Sequence, residues 1–513
     1  MDRAARFRQI TCTEHIRRDL AGRSVRAALF TSTAGFADFA IRLGSTAILA
    51  RLIVPEHFGL VMMASAVIAI ADQLRELGLS SATVQQPEIT HAQVSNLFWI
   101  NVAVGAGLAL VTFAAAPFIA SYYRDPRLFS ITVILATTLL AGGLTVQHQA
   151  LLTRQLKLGH TAAIRLASSL FSTALAIALA WWDFGYWALL WREVARAALL
   201  AAGMWVCFPW LPGLPSRRTD VRSLLRFGAN LTGANILSSI ASGFDRFLLG
   251  RFSGAGPVGV YRQAFQLIAA PTDQLLSPLY QVAQPSLSLL QNDAPRYRRL
   301  YLKLLTLVCL LTMPLSLFVA VYATELTLAF LGPTWLEAAP LLCLFSFGTF
   351  IKQAAGSAAF ILITRGQGAI YLRLTVLHNV VSVVALCIGV RWGAIGAALA
   401  EVIVTYLMLA PRLRYCLAAS PVDLRSYLTI LARPALATLA MAWALLATHH
   451  QSAHLTTAAA LTLGAVVAFL VFAATWLLLP GGRSELLSLI SDLRNALRRK
   501  AARSTALAPA PAS

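Results

Sequence analysis

The sequence predicts an all-α integral membrane protein of about 14 transmembrane helices, built as two parallel six-helix repeats around a central cavity with two extra C-terminal helices. Three observations predict it. Of 513 residues, 58% are hydrophobic and 12% charged, about half the charged fraction of a soluble domain. Apolar stretches of spanning length recur throughout, and no polar stretch exceeds roughly thirty residues, which leaves no room for a folded extramembrane domain. Short matches also recur at constant spacing between the two halves of the chain.

Taken in order, residues 1–26 form a polar, Arg-rich N-terminal segment, and the apolar run that follows is long enough to remain as a span, so no cleaved signal peptide is expected. The first lobe, 27–208, holds spans at 27–52, 58–80, 97–122, 129–151, 162–182 and 186–208. A linker at 209–224 leads to the second lobe, 225–415, with spans at 225–250, 258–287, 300–323, 338–364, 369–390 and 394–415. The segment 416–480 adds spans at 427–447 and 455–479. Beyond them Leu486, Ile490, Leu493 and Leu497 share one helical stripe flanked by Arg494, Arg498 and Arg499, so 481–503 reads as an amphipathic helix lying on membrane lipid. The Ala- and Pro-rich tail, 504–513, reads as disordered.

A net charge of +21 would suggest nucleic acid in a soluble chain, but here the basic residues are sorted by side of the membrane. One set of alternate loops carries the N-terminal arginines, then Arg154, Lys157, Arg217, Arg218, Arg222, Arg296, Arg298, Arg299, Arg412, Arg414 and Arg425, and the C-terminal tail joins that set. The opposite set shows only Arg51, Arg124, Arg127, Arg251 and Arg391, and the loop of His449, His450 and His454 has no Lys or Arg. By the positive-inside rule both termini are cytoplasmic, which an even helix count permits.

The six cysteines show neither CxxC nor metal-ligand spacing and read as buried small apolar residues with no disulfide framework. Gly254, Gly256 and Gly259 match the spacing of a dinucleotide loop, yet no strand precedes them and Pro257 interrupts them. No Walker motif is present. The expectation is a protein that is not an enzyme and uses no cofactor.

The repeat is specific at two places. Leu49-Ala50-Arg51-Leu52 with Phe58-Gly59-Leu60-Val61 aligns on Leu249-Gly250-Arg251-Phe252 with Val258-Gly259-Val260-Tyr261 at an offset of 200 residues. Arg165-Leu166, Gly185 and Glu193-Val194 align on Arg373-Leu374, Gly393 and Glu401-Val402 at an offset of 208. Six being even, the halves point the same way through the membrane, with substrate expected between them.

Ionisable residues deep in the spans are the other functional signal. Each costs roughly 2.5–3.5 kcal/mol at mid-bilayer if it faces lipid, so these must face a polar interior. Asp38 and Arg42 share a face, as do Asp72 and Arg75, and Arg192 and Arg196, with Glu193 beside them. Lys352 and Glu401 lie mid-span, Lys352 with no carboxylate within a helical turn. Asp38 with Arg42 and Glu193 with Arg196 also read as intrahelical neutralising pairs. Arg246, near a helix end, competes between ligand binding and snorkelling. Even so, the cations outnumber what intrahelical pairing explains.

The run from Ala50 to Val61, followed by Glu76-Leu77-Gly78-Leu79-Ser80-Ser81-Ala82, resembles the opening of Wzx-type polysaccharide flippases, and Asp245-Arg246-Phe247-Leu248-Leu249-Gly250-Arg251 with Gly259, Tyr261 and Ala264 is similar to their mid-chain signature. This is the polysaccharide-transport branch of the multidrug/oligosaccharidyl-lipid/polysaccharide exporter superfamily. The resemblance implies a flippase of the bacterial cytoplasmic membrane that moves a polyprenyl-diphosphate-linked oligosaccharide for O-antigen, capsule or exopolysaccharide assembly, alongside a polysaccharide polymerase and a chain-length regulator. On that reading Arg42, Arg192, Arg196, Lys352 and Arg246 bind diphosphate or sugar, since guanidinium forks suit phosphate. Asp38, Asp72, Glu193 and Glu401 serve ion coupling or sugar contact. Two alternatives stand beside it: an ion-coupled drug or cation antiporter of the same superfamily, whose cavity should hold few bases, and a membrane glycosyltransferase or polymerase, which short loops disfavour.

Overall fold

The computed structural model describes residues 20–76, 80, 83–84, 89–215, 243–418, 420–451 and 455–483. The N-terminal part of the expected seventh span, the amphipathic helix beyond 483 and the tail 504–513 lie outside the described residues.

The described residues form helices and the turns between them, with no strand among them. The first lobe comprises α1 (Leu20–Leu52), α2 (Pro55–Glu76), α3 (His91–Tyr123), α4 (Arg127–Arg154), α5 (Leu158–Trp181) and α6 (Tyr186–Cys207). The second comprises α7, described over 243–253, α8 (Ala255–Leu289), α9 (Ala294–Val321), α10 (Ala338–Thr364), α11 (Gly368–Gly389) and α12 (Gly393–Leu407), which continues as Leu409–Ala418. Then come α13 (Leu424–Gln451) and α14 (Thr457–Leu478). The 14 spans expected from hydropathy are thus all represented, α7 by its last turns.

Their ends follow local chemistry. Thr90 and Gln93 form a capping box at the start of α3, Asp293 accepts from the Arg296 N–H ahead of α9, and Thr456 caps α14. These caps satisfy amides that have no intrahelical acceptor.

Two six-helix units repeat the same packing. In the first, α4 lies against α2, α3 and α6, and α5 against α6; in the second, α10 lies against α8, α9 and α12, and α11 against α12. The lobes meet where α2 crosses α8, at the turns of the first sequence match. A Cβ on Gly59 would lie 1.7 Å from the Ala255 carbonyl oxygen, and one on Gly259 would lie 2.1 Å from that of Pro55. Only glycine permits this approach, and the reciprocity of the contacts reflects the two-fold relation between lobes.

The same end is closed by further contacts. Trp335, fully buried, donates its indole N–H to the Ala50 carbonyl at 2.7 Å and meets Phe58 edge-on. Arg51 donates to the Ala329 carbonyl at 2.8 Å, near the end of a short helix, Ala323–Phe330, that hydropathy did not resolve from its neighbours. In the mirror position Arg251 sits over the Tyr122 ring, 5.9 Å from its centroid. Arg127 bridges Glu56 at 2.6 Å and Asp125 at 2.7 Å, and its guanidinium holds the Asp125 carboxyl below the usual carboxylate range.

Helices α13 and α14 stand outside the repeat and pack on the second lobe. Tyr427 of α13, fully buried beside Tyr297 and Tyr301, donates to the Ala354 carbonyl at 2.8 Å. The reading of the cysteines as buried needs correction: Cys309 and Cys416 are buried, but Cys207 and Cys387 are exposed on the outer faces of α6 and α11. Large apolar side chains such as Phe118, Trp181 and Phe469 are likewise exposed, as lipid-facing surfaces require.

Candidate functional site

In the first lobe, one turn of α6 organises the charges. Arg192 donates to Glu193 Oε1 at 3.1 Å and Arg196 to Glu193 Oε2 at 2.9 Å, so each carboxylate oxygen is engaged by its own arginine. On α2, Arg75 pairs with Asp72 at 2.8 Å with its side chain 9% exposed. Its guanidinium lies where α4 offers no side chain: a Cβ on Gly142 would fall 2.5 Å from Arg75 Cζ. Asp72, Arg75, Glu193 and Arg196 line one cavity of about 310 Å³ between α2, α4 and α6.

The second lobe assembles its cluster across helices. Lys352 of α10 donates to Glu401 Oε1 of α12 at 3.1 Å, and Ser382 of α11 donates to Glu401 Oε2 at 3.0 Å. Lys352 also stands 5.7 Å from the Phe265 ring centroid, and Arg262 lies over the same ring at 5.0 Å. At the end of α7, the Arg246 backbone N–H donates to Asp245 Oδ1 at 2.7 Å, and its guanidinium lies 3.6 Å from that oxygen.

Glu193 and Glu401, matched in the sequence repeat, therefore hold matched structural roles. Each sits on the last helix of its lobe with both oxygens occupied. The cations arrive differently: from α6 itself in the first lobe and from α10 in the second. In the first lobe Gly142 of α4 leaves open the space that Arg75 fills from α2.

Arg42 and Asp38 pair with each other at 2.6 Å on α1, Arg42 being 73% exposed. Among the described residues no hydrogen bond or ion pair joins them to either cluster, so the structure does not bring them to the same place as the others. The expectation that the cations outnumber their pairs is corrected for the named residues. Arg42, Arg192, Arg196, Lys352 and Arg246 each have a carboxylate within 4.0 Å, and the excess reduces to the second arginine on Glu193. Lys352 seemed unpaired because its partner lies 49 residues further on, beyond the reach of helical spacing.

Sequence reasoning counted Arg75 among the deep bases, beside Asp72, without naming it as a binding residue, and it gave Ser382 no role. A buried arginine three residues from an aspartate was the available signal for the first; for Ser382 there was none.

A family profile described as polysaccharide biosynthesis protein matches residues 48–340, more than half of the chain. The chain is 26% identical over 390 residues to the lipopolysaccharide biosynthesis protein WzxC of Escherichia coli (strain K12), covering 75% of this chain and 79% of that one. It is 26% identical over 369 residues to the succinoglycan biosynthesis transport protein ExoT of Rhizobium meliloti (strain 1021), covering 71% of this chain and 73% of that one. Among solved structures, the fold is similar to that of the lipid II flippase MurJ in an inward closed conformation, with a TM-score of 0.72 at 13% identity over 87% of this chain and 98% of the other. Two six-helix lobes, the paired turns at Gly59 and Gly259 and the profile match agree: this multi-pass membrane protein belongs to the polysaccharide biosynthesis protein family.

Proposed function

We propose that the protein flips a polyprenyl-diphosphate-linked oligosaccharide from the inner to the outer leaflet of the bacterial cytoplasmic membrane, feeding surface polysaccharide assembly, with both termini in the cytoplasm. The observation that carries this reading is the pair of charge clusters built into repeat-related places, around Glu193 in one lobe and Glu401 in the other. Charged groups inside a membrane bundle are retained for a polar path. A glycan and a diphosphate need such a path, while the polyprenyl tail stays in lipid. Partnership with a polymerase and a chain-length regulator follows from the same reading. A drug-cation antiporter would share the fold, but the Glu193 cluster holds one arginine more than its carboxylate neutralises, which disfavours an organic cation.

Transport then proceeds by alternating access, the lobes rocking so that their contact at α2 and α8 is made in one state and opened in the other. Glu401 is the coupling residue: its bond to Lys352 is made in one state and exchanged for a proton or sodium ion in the other. Glu401→Gln keeps the Ser382 hydrogen bond and removes the charge. The variant is expected to express and bind lipid-linked glycan normally, yet to lose gradient-dependent flipping in proteoliposomes. Gradient-dependent flipping at the normal rate excludes Glu401 from coupling.

A further inference from the structure

We propose that the groove between the end of α12 and the start of α13 binds an anionic glycerophospholipid of the inner leaflet, with an acyl chain against its apolar wall and the anionic headgroup on Arg414. This goes beyond the flippase reading and takes from it only the cytoplasmic side of the arginine-rich loops.

The groove originates in a helix break. Pro411 has no N–H to give the Leu407 carbonyl, and its ring crowds that oxygen, so α12 ends at Leu407 and resumes as Leu409–Ala418. The resumed segment buries Leu413, Cys416 and Leu417 and exposes Arg414 and Tyr415, the pattern of a helix lying along a membrane surface. A turn at Ser420 and Pro421 leads into α13, and the groove lined by the two stretches has a volume of about 910 Å³.

The chemistry of the wall narrows the occupant. Leu409, Leu413, Leu417, Val422, Leu424 and Leu428 make its apolar face, and Leu424 and Leu428 are half-exposed in it. The other polar groups are spent within the protein. Tyr406 donates to the Phe347 carbonyl at 2.9 Å, the Ser420 hydroxyl donates to the Leu417 carbonyl at 3.1 Å, and Asp423 is neutralised by Arg298. Arg414 differs: among the described residues its guanidinium has no hydrogen bond and no carboxylate within 4.0 Å. An apolar trough with one uncompensated cation fits an amphiphile that joins an anionic head to an apolar chain. A lipid without net charge leaves the guanidinium without a counter-charge, and a glycan leaves the trough unfilled.

Place and size agree with this. Arg412, Arg414 and Arg425 belong to the arginine-rich set of loops, which the positive-inside rule puts against the leaflet that carries anionic lipid. Basic pockets between spans on that side recognise such headgroups. The lining comes from α12, its continuation and α13, outside the contact of the two lobes, so the groove is separate from the path expected for cargo. Its volume stands near the upper end of ligand pockets, which run from roughly 300 to 1,000 Å³, and suits a chain.

The test labels purified full-length protein in nanodiscs with phosphatidylglycerol or phosphatidylcholine bearing a diazirine on one acyl chain, and maps the labelled peptides by mass spectrometry. Phosphatidylglycerol is expected to label residues 406–428 about fivefold more than phosphatidylcholine does, the scale of one arginine on an anionic headgroup. Arg414→Gln should bring that ratio to within about twofold of one, whereas Lys157→Gln, which removes an exposed cation of the first lobe, should leave it unchanged. Ala410→Trp with Ala418→Trp, two exposed positions of the wall, should fill the groove and lower phosphatidylglycerol labelling independently of Arg414. Equal or absent labelling by the two phospholipids in the wild type, or an Arg414→Gln protein that keeps the preference, overturns the site while sparing the flippase reading. So does a diazirine-bearing undecaprenyl phosphate that labels the same peptides and is not displaced by excess phosphatidylglycerol, which would make the groove a seat for the cargo tail. Phosphatidylglycerol labelling that appears only after removal of residues 484–513 overturns it as well, by making the chain's own C-terminal segment the occupant.

Discussion

Replacing Arg192 and Arg196 together with Ala is expected to abolish surface polysaccharide in a deletion strain and to destabilise the first lobe by about 3 kcal/mol, at the low end for stripping a buried charge of its partners. Glu193 has one oxygen on each arginine and a side chain only 26% exposed, so the double variant leaves a carboxylate inside the bundle with neither cation. Adding Glu193→Gln removes that orphan charge. The triple variant should therefore recover most of the thermal stability, measured by unfolding in detergent, while polysaccharide stays absent because the cations also serve the cargo. Recovery of both stability and polysaccharide would reduce the cluster to a structural pair.

The lobe contact carries the second large effect. Gly59→Val or Gly259→Val places a side chain on backbone atoms, the Ala255 and Pro55 carbonyls, that cannot rotate away. Overpacking of this kind costs roughly 1–3 kcal/mol, and the only relief is separation of α2 from α8. Each variant is expected to fold, to lose transport by more than about tenfold, and to populate the closed arrangement of this end less. Spin labels at Glu56 and Gly256 read that population as a distance distribution. An unchanged short distance in Gly59→Val would show that the contact does not report on opening.

These variants also mark where the sequence was legible. Span positions follow from hydropathy because lipid demands long apolar helices, and α10 falls at 338–364 as read from the sequence. The two turns of the lobe contact were marked in the sequence because the repeat keeps both glycines and both arginines, but that they meet was not readable from it. Intrahelical pairs such as Asp38 with Arg42 follow from helical spacing alone. Pairing across helices does not. Lys352 with Glu401, Arg127 with Glu56, and Arg75 filling the space above Gly142 depend on which helix faces which, and periodicity carries no such information. The cavity between α2, α4 and α6 was hidden for the same reason: its polar wall is assembled from three helices, each unremarkable alone.

Movement of the cargo itself tests the central claim most directly. Purified protein is reconstituted with undecaprenyl-diphosphate-linked oligosaccharide confined to the inner leaflet, and a lectin outside reports each glycan that arrives. The account predicts lectin binding that rises well above that of protein-free vesicles, depends on an imposed proton or sodium gradient, and is lost in Glu401→Gln. Lectin binding no faster than in protein-free vesicles, with gradient-driven movement of an organic cation such as ethidium by the same preparation, would contradict it and identify an antiporter instead.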